Sequence, residues 1–406
     1  MLRPRIDDDA KKTETDVTQR TATSTLPPQP FFSTPQQRLA LARQRYFEEG
    51  VRPSGLVNEG LIQSWSRCVQ ARRDPHESVE FNPVTTSRVH SALQRSRLLV
   101  SSAAGELSQL ESTLAGTACT AILTDAQGVV VHAIHSAGNN DAVLMPLASR
   151  VGVDLAEEHV GTTAPGVTLR TGQACVVLGA EHFFGCLQVM YCAAAPIRDI
   201  HGQLAGVLDV SSESRPFGFD AGAVVNMYAT TIENRLLRAQ STEHIVVHLQ
   251  TAPTLLGTPM EGLAGLDAQG RIAWVNSAAA RLLGLACPSS GTPAEHVFGL
   301  DLAALARLTR NDQPSVHRLP NGLTVWLGAC MQSNDGAGPL VGLGAPSTTA
   351  SSSADAPGPA APTLRDNDRH LIQQTVQACG GNVSKAARAL GVSRGLIYRH
   401  LKDDSL

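Results

Sequence analysis

Lysine is almost missing from this chain. Four lysines serve 406 residues, at positions 11, 12, 385 and 402, and none of them follows a glycine. A phosphate-cradling loop needs Gly-Lys-Ser/Thr so that the lysine reaches the β and γ phosphates, and no such loop exists in this sequence. No uninterrupted apolar run approaches the roughly 18 to 20 residues that cross a bilayer. The start, Met1-Leu2-Arg3-Pro4-Arg5-Ile6-Asp7-Asp8-Asp9, lacks the apolar centre of a signal peptide. A soluble cytoplasmic protein with no membrane partner is therefore expected. Cysteines stand at 68, 119, 175, 186, 192, 287, 330 and 379, with no Cys-x-x-Cys among them. Disulfides are disfavoured in the cytosol, so free buried thiols are expected, with no metal and no cofactor. Aromatic residues make up only 4%, yet a hydrophobic fraction of 42% supports buried cores. The length suggests about two or three domains.

What is present is concentrated at the carboxyl end. From Thr363 onward seven Lys and Arg oppose four Asp, giving +3, while the whole chain carries −3; the remainder therefore carries −6. A helix is expected from Thr363 to Cys379, with Leu364, Leu371, Ile372 and Val376 inward and Gly380-Gly381 as its stop. Asn382 then caps a short helix in which Ala386, Ala387 and Leu390 share one face. Gly391 suits the left-handed residue that ends it, and Ser393 caps the next helix after a three-residue turn. In that helix Ile397 and Leu401 point inward, leaving Ser393, Arg394, Gly395, Tyr398, Arg399 and Lys402 facing out.

That outward face has the chemistry of a major-groove reader. Arg394 at the helix start reaches guanine O6 and N7 as a bidentate pair. Ser393, with its exposed backbone amides, suits a phosphate oxygen, and Arg399 and Lys402 neutralise backbone charge. The plainer alternative is a helical hairpin with a solvated basic face. Caps, turn length, small residues and charge all agree on the first reading. The segment resembles the Fis-type helix-turn-helix that closes bacterial enhancer-binding regulators, on Asn382-Val383-Ser384, Ala386-Ala387, Leu390-Gly391-Val392-Ser393-Arg394 and Leu396-Ile397-Tyr398-Arg399. The resemblance implies a homodimer on two-fold symmetric double-stranded DNA. Most such regulators carry a central ATPase; the missing Gly-Lys sets this sequence apart from that plan.

Breaker-rich stretches divide the rest. Residues 1–35 read as a disordered arm ending in Pro27-Pro28-Gln29-Pro30, and 36–114 as helical, with helices at Gln36–Glu49, Gly60–Ala71 and Thr86–Leu110. Residues 346–362 read as a flexible linker ahead of the tail at 363–406. In 115–240, strands are expected at Ala118–Thr124, Val129–Ile134, Ala174–Leu178, Leu187–Ala194 and Gln203–Val210, with a closing helix at Asp220–Leu237. In 243–345 two hairpins are expected, Gly262–Leu266 with Arg271–Trp274 and Val316–Leu319 with Leu323–Cys330, and Asn276 caps the helix Ser277–Leu283.

The first strand-rich region resembles the GAF domain of acetoin catabolism regulators. The matching pieces are Ser64-Trp65-Ser66-Arg67-Cys68, Glu157-Glu158-His159-Val160-Gly161-Thr162, Gly179-Ala180-Glu181-His182, Cys192-Ala193-Ala194-Ala195-Pro196-Ile197-Arg198-Asp199 and Gly206-Val207-Leu208-Asp209-Val210-Ser211. Thr163 stands where relatives usually carry asparagine and Gln188 where histidine is common, so the effector's identity does not carry over. The second region is similar to a degenerate PAS domain. The fold class implied is α+β multidomain: an α/β GAF sensor, a PAS-like α/β domain and an all-α helix-turn-helix.

Candidate effector-binding residues are Gly161, Thr162, Thr163, Glu181, His182 and Gln188. Gly161 to Thr163 open a helix and either offer amides to a ligand oxygen or simply make a tight turn. Glu181 and His182 either border a pocket and orient a small alcohol, ketone or acid, or hold their own loop. Cys186 and Cys192 invite a thiol redox sensor or a sulfoxide-reducing enzyme, although six-residue spacing is not a zinc pattern. His296 and His317 are formal haem candidates, but isolated histidines are usually surface or turn residues. The expectation is a non-enzymatic, one-component regulator that binds DNA and a small organic effector and acts without ATP hydrolysis, by recruiting RNA polymerase or by occlusion.

Overall fold

Three turns in this chain share one chemical solution. Asp125 accepts the backbone N–H of Gln127 and Val129 on Oδ1, both at 2.9 Å, and Gly128 follows with φ 92°. Asp199 does the same for His201 and Gln203, with Gly202 at φ 71°. Asp267 does so for Gln269 and Arg271, with Gly270 at φ 70°. An Asp side chain that replaces a backbone turn partner, followed by a glycine free to take positive φ, fixes each hairpin.

The computed structural model describes residues 34–135, 142–285, 291–311 and 313–331. The tail, with Ser393, Arg394, Gly395, Tyr398, Arg399 and Lys402, lies outside these residues, as do 1–33 and the linker. Helices run α1 Pro35–Arg43, α2 Glu59–Gln70, α3 Thr86–Arg95, α4 Arg97–Leu114, α5 Met145–Ala148, α6 Glu157–Val160, α7 Ala164–Thr171, α8 Ala221–Ala239, α9 Ser277–Leu283, α10 Ala294–Phe298 and α11 Leu302–Leu308.

Strands β1 Cys119–Asp125, β2 Val130–His135, β3 Cys175–Leu178, β4 Met190–Arg198 and β5 Leu204–Glu213 form an antiparallel sheet of order β2-β1-β5-β4-β3. Both faces are covered. On β4, Ala193, Ala195 and Ile197 pack under α4 and α8, whereas Cys192 and Ala194 face Trp65 of α2, Phe183 and Phe184. This two-residue alternation is the strand period expressed as two cores. A second antiparallel sheet, β6 Ile245–Gln250, β7 Gly262–Leu266, β8 Ile272–Val275, β9 Ser315–Arg318 and β10 Thr324–Met331, has order β8-β7-β6-β10-β9. Phe298, Leu305 and Leu283 cover one of its faces, and Leu237 at the end of α8 packs against Val246, Leu263 and Trp274 on the other.

Several boundaries differ from expectation. The single helix expected over Thr86–Leu110 is two helices meeting at Ser96, whose ψ of 4° is not helical. The strand expected from Leu187 starts at Met190, because Gly185–Leu187 closes as a 3-10 turn. The helix expected through Glu49 widens into a π turn at Gln44–Glu48. β6, the central strand of the second sheet, has no counterpart among the expected strands.

Candidate functional site

On the α2 side of the first sheet, the short helices α5 to α7 roof a cavity of about 30 Å³. Its floor is Ile122 of β1, Met190 and Cys192 of β4, and Asp209 and Ser211 of β5; its roof includes Met145, Ala148, Val160, Thr163 and Pro165, with Phe81, Leu155, His182 and Leu187 closing the sides. The lining is mainly apolar, so each polar group in it stands out.

Asp209 is the most exceptional of them. Its Oδ2 accepts the Ser211 hydroxyl at 2.7 Å, and its Oδ1 is buried with no hydrogen-bond partner. Burial pushes its carboxyl up to about 7, only partly opposed by the Ser211 bond. An unpaired buried carboxylate oxygen costs free energy until something donates to it. His182, wholly buried, lines the same cavity. Its Nδ1 lies 2.9 Å from the Gly179 carbonyl, which can only accept, so Nδ1 carries the proton. Nε2 is then an acceptor, and Cys192 Sγ, at 3.5 Å, donates to it. Burial holds the imidazole down to about 4, hence neutral, and pushes the Cys192 thiol up.

The segments around the cavity are fastened from outside. Arg43, at the end of α1, donates to the carbonyls of Ala180 at 3.0 Å, His182 at 2.8 Å and Phe183 at 3.4 Å, with its guanidinium over the Phe47 ring. Burial lowers the Arg43 pKa. Trp65 Nε1 donates to the Glu181 carbonyl at 2.8 Å. Ser64 of α2 donates to Glu157 at 2.8 Å and lies 2.7 Å from the Thr162 hydroxyl, while Arg67 makes a two-pronged pair with Glu157. The Arg67 pKa is raised by that bond with Glu157.

The sequence-predicted site residues therefore separate. Thr163 and His182 line the cavity. Gly161 sits at φ 64° beneath the Phe184 ring, with its N–H given to the Glu157 carbonyl. Thr162 belongs to the Ser64–Glu157 cluster. Glu181 folds back so that Oε2 accepts the Leu178 N–H at 2.8 Å, and burial raises it to about 7. Gln188, half-buried after the 3-10 turn, is not part of the lining. Asp209, Ser211, Met145 and Arg43 were not anticipated. Asp209 and Ser211 had a visible signal: two polar residues, two apart, inside the apolar run Gly206-Val207-Leu208-Asp209-Val210-Ser211.

The thiol alternative loses its chemistry. Cys186 is exposed, whereas Cys192 is buried with its thiol held protonated, the opposite of an activated nucleophile. His317 Nε2 donates to the Phe298 carbonyl at 2.6 Å and His296 is exposed on a short helix, so neither offers a built haem site. Among the described residues no group of His, Cys, Asp and Glu is arranged to hold a metal ion, and no helix is long and apolar enough to cross a membrane.

Residues 34–225 match the family "MimR, N-terminal domain", and residues 363–403 match "Bacterial regulatory protein, Fis family". The chain joins a MimR-type N-terminal domain to a Fis-family helix-turn-helix. All cavity-lining residues, from Phe81 to Ser211, fall inside the MimR-type domain. The chain is 35% identical over 251 residues to the acetoin catabolism regulatory protein of Cupriavidus necator, covering 60% of this chain and 37% of that protein. It is 26% identical over 196 residues to the propane 2-monooxygenase operon transcriptional activator MimR of Mycolicibacterium smegmatis, covering 48% of this chain and 32% of that protein. To the acetoin dehydrogenase operon transcriptional activator AcoR of Bacillus subtilis it is 26% identical over 172 residues, 41% of this chain and 28% of that one. The matches thus span little more than a third of these relatives' lengths at most. Among solved structures, the Escherichia coli DhaR(N)–DhaL complex aligns with a TM-score of 0.42 at 17% identity, covering 67% of this chain and 99% of that one.

Proposed function

We propose that this chain is a cytoplasmic, sequence-specific DNA-binding transcriptional regulator that responds to a small uncharged organic effector held in the cavity of its MimR-type domain. The observation that carries the reading is the unpartnered Oδ1 of Asp209 in an apolar cavity, in a chain that also matches the Fis family. An effector hydroxyl would satisfy that oxygen, whereas a carboxylate would set charge against charge and leave the donor missing. The names of the relatives, which speak of acetoin and of a propane 2-monooxygenase operon, accord with a small effector. In this reading the first sheet is a GAF-type sensor, the second a PAS-like domain, and Gly161, Thr162, Glu181 and Gln188 support the site behind Thr163 and His182. Arg394 reads bases, Ser393, Arg399 and Lys402 hold phosphates, Gly395 and Tyr398 complete the face, and two copies bind a two-fold site. Output without ATP hydrolysis is recruitment or occlusion of RNA polymerase. Effector coupling of this kind is worth about 1 to 3 kcal/mol.

Two measurements on the purified full chain test this. Footprinting on DNA flanking its own coding sequence should show a protected operator; Arg394→Ala should relax base choice at a cost of about 1 to 3 kcal/mol, and Lys402→Ala should weaken all sequences alike. A thermal-shift screen should find stabilisation by small neutral alcohols and hydroxyketones and none by the matching acids. Absence of any protected site, with or without candidate effectors, overturns the regulator reading. Stabilisation by acids alone overturns the role given to Asp209.

A further inference from the structure

A cavity of about 30 Å³ has room for roughly a water molecule or two, so any organic occupant requires a wall to move. The walls are not equally fastened. The sheet is closed by its hydrogen-bond ladder, α6 and the turn into α7 are tied to α2 through Ser64 and Arg67 on Glu157 and Ser64 on Thr162, and the His182 loop is wrapped around Arg43. Of the sides, Phe81, Leu155 and Leu187 are held through their backbone by bonds to Arg150, Gly128 and Phe184, which leaves α5, a single turn that contributes Met145 and Ala148. Its leading edge is held by one side chain. Glu213, 5% exposed at the end of β5, accepts the backbone N–H of Val143 at 3.0 Å, Leu144 at 2.8 Å and Met145 at 2.9 Å. No side chain caps α5 at its own N-terminus, so these bonds do that work from the sheet. Its outer surface is not packed: Val143 is 68% exposed and Leu147 41%. Its trailing edge leads to Gly152, at φ 94°, where the chain rejoins the fold by pairing with Val130.

We infer that α5 is the door of the cavity and that Glu213 is its latch, a positioning residue that sets how often the site opens. Asp209, Ser211 and Glu213 are alternate residues of one strand and share one face. The strand that presents the unpartnered acceptor to the cavity therefore also holds the door, and a shift of β5 on occupancy acts on both. Charge-assisted bonds from one carboxylate to three amides are strong, and they are local, so the door opens without the cores separating. The significance for regulation rests on the cavity being the effector site; the door itself does not, and its test uses no effector.

The experiment is hydrogen exchange of the full chain together with alkylation by iodoacetamide, read by mass spectrometry at Cys192, which lines the cavity, and at Cys119, buried on the opposite face. In the native sequence the amides of Val143 to Met145 should exchange faster than those of β1 and β4. Glu213→Gln should raise both that local exchange and Cys192 alkylation by about tenfold or more, leaving Cys119 unchanged. Glu106→Gln, which removes a buried carboxylate paired with Arg235 on the far face, should not raise the Cys192 rate selectively. Equal acceleration at Cys119 and Cys192, or none at either, overturns the latch. If Glu213→Gln fails to fold, exchange of the Val143 to Met145 amides in step with β1 in the native sequence overturns it alone. An effector screen without hits, with selective Cys192 opening, sinks the effector reading and leaves the door standing.

Discussion

Asp209 and His182 face the same small space, and burial acts on them in opposite directions, because it disfavours whichever form is charged. For His182 the neutral ring is already the ordinary form near neutrality. For Asp209 the consequence is a dependence on pH. Its folded pKa, raised to about 7, lies above that of an exposed carboxylate, so the folded chain holds a proton that the unfolded chain releases. The protonated form's advantage is fully present in acid and is lost as pH rises towards the folded pKa. Asp209→Asn removes a group that must become charged while buried. The variant is expected to be more stable than the native sequence above about pH 7, by at most about 4 kcal/mol, with the difference closing near pH 4. Midpoints measured across that range check it; a difference independent of pH means that Asp209 does not titrate in the folded state. At this scale the sequence pointed to His182 and Thr163 through their place beside turns, and passed over Asp209. A strand position is recognised by its apolar neighbours, and only the assembled sheet shows that Asp209 and Ser211 share a face with a cavity rather than with solvent.

Among the elements, legibility followed the range of the forces. The three Asp-x-x-Gly turns and the Asn276 cap, whose Oδ1 accepts the Ala279 N–H at 2.8 Å, are settled within five residues and could be read directly. The break between α3 and α4 at Ser96 could not, because apolar residues continue on both sides of it and Ala92 and Leu99 enter the same core. β6 follows α8 after a short turn, and its Ile245-Val246-Val247 run is buried from both sides, which removes the alternation that marks a strand. The turn between α6 and α7 is the sharpest local demand. Gly161 has φ 64° and ψ −150°, a region open essentially to glycine, and a Cβ there would stand 2.6 Å from the Phe184 ring. Gly161→Ala is accordingly expected to cost upward of about 2 kcal/mol and to loosen Thr162 and Thr163 with it. Denaturant unfolding checks the cost, and a loss below about 0.5 kcal/mol means that the turn relaxes freely.

On the scale of the whole described unit, the two sheets meet chiefly along one helix, with Ile200 of the β4–β5 turn packing beside it. α8 packs on the face of the first sheet opposite the cavity, and its last turns reach the second sheet, where Arg238 pairs with Glu261 at 2.6 Å. Asn276 closes that junction. Its Oδ1 accepts from Leu263 and Ala279 at 2.9 and 2.8 Å, and its Nδ2 donates to Asn234 of α8 and to the Glu261 carbonyl, both at 2.8 Å. Every hydrogen-bonding capacity of the amide is in use, two as acceptor from β7 and α9 and two as donor at the junction. Asn276→Asp keeps the shape and the two acceptor bonds, but it turns a carboxylate oxygen towards the Asn234 and Glu261 oxygens in a buried setting. An unfavourable change of about 3 kcal/mol is expected. Because the lost bonds include the link to α8, the thermal transition should also separate into two, with amides of β7 and β8 exchanging before those of β1 and β4. Asn234→Ala, which removes only the α8 partner, should give the separation with a smaller loss of midpoint. A single transition at the native midpoint in both variants would mean that the Arg238–Glu261 pair and the apolar contacts of Leu237 and Ile200 with Val246, Leu263 and Trp274 suffice to bind the second sheet to the first.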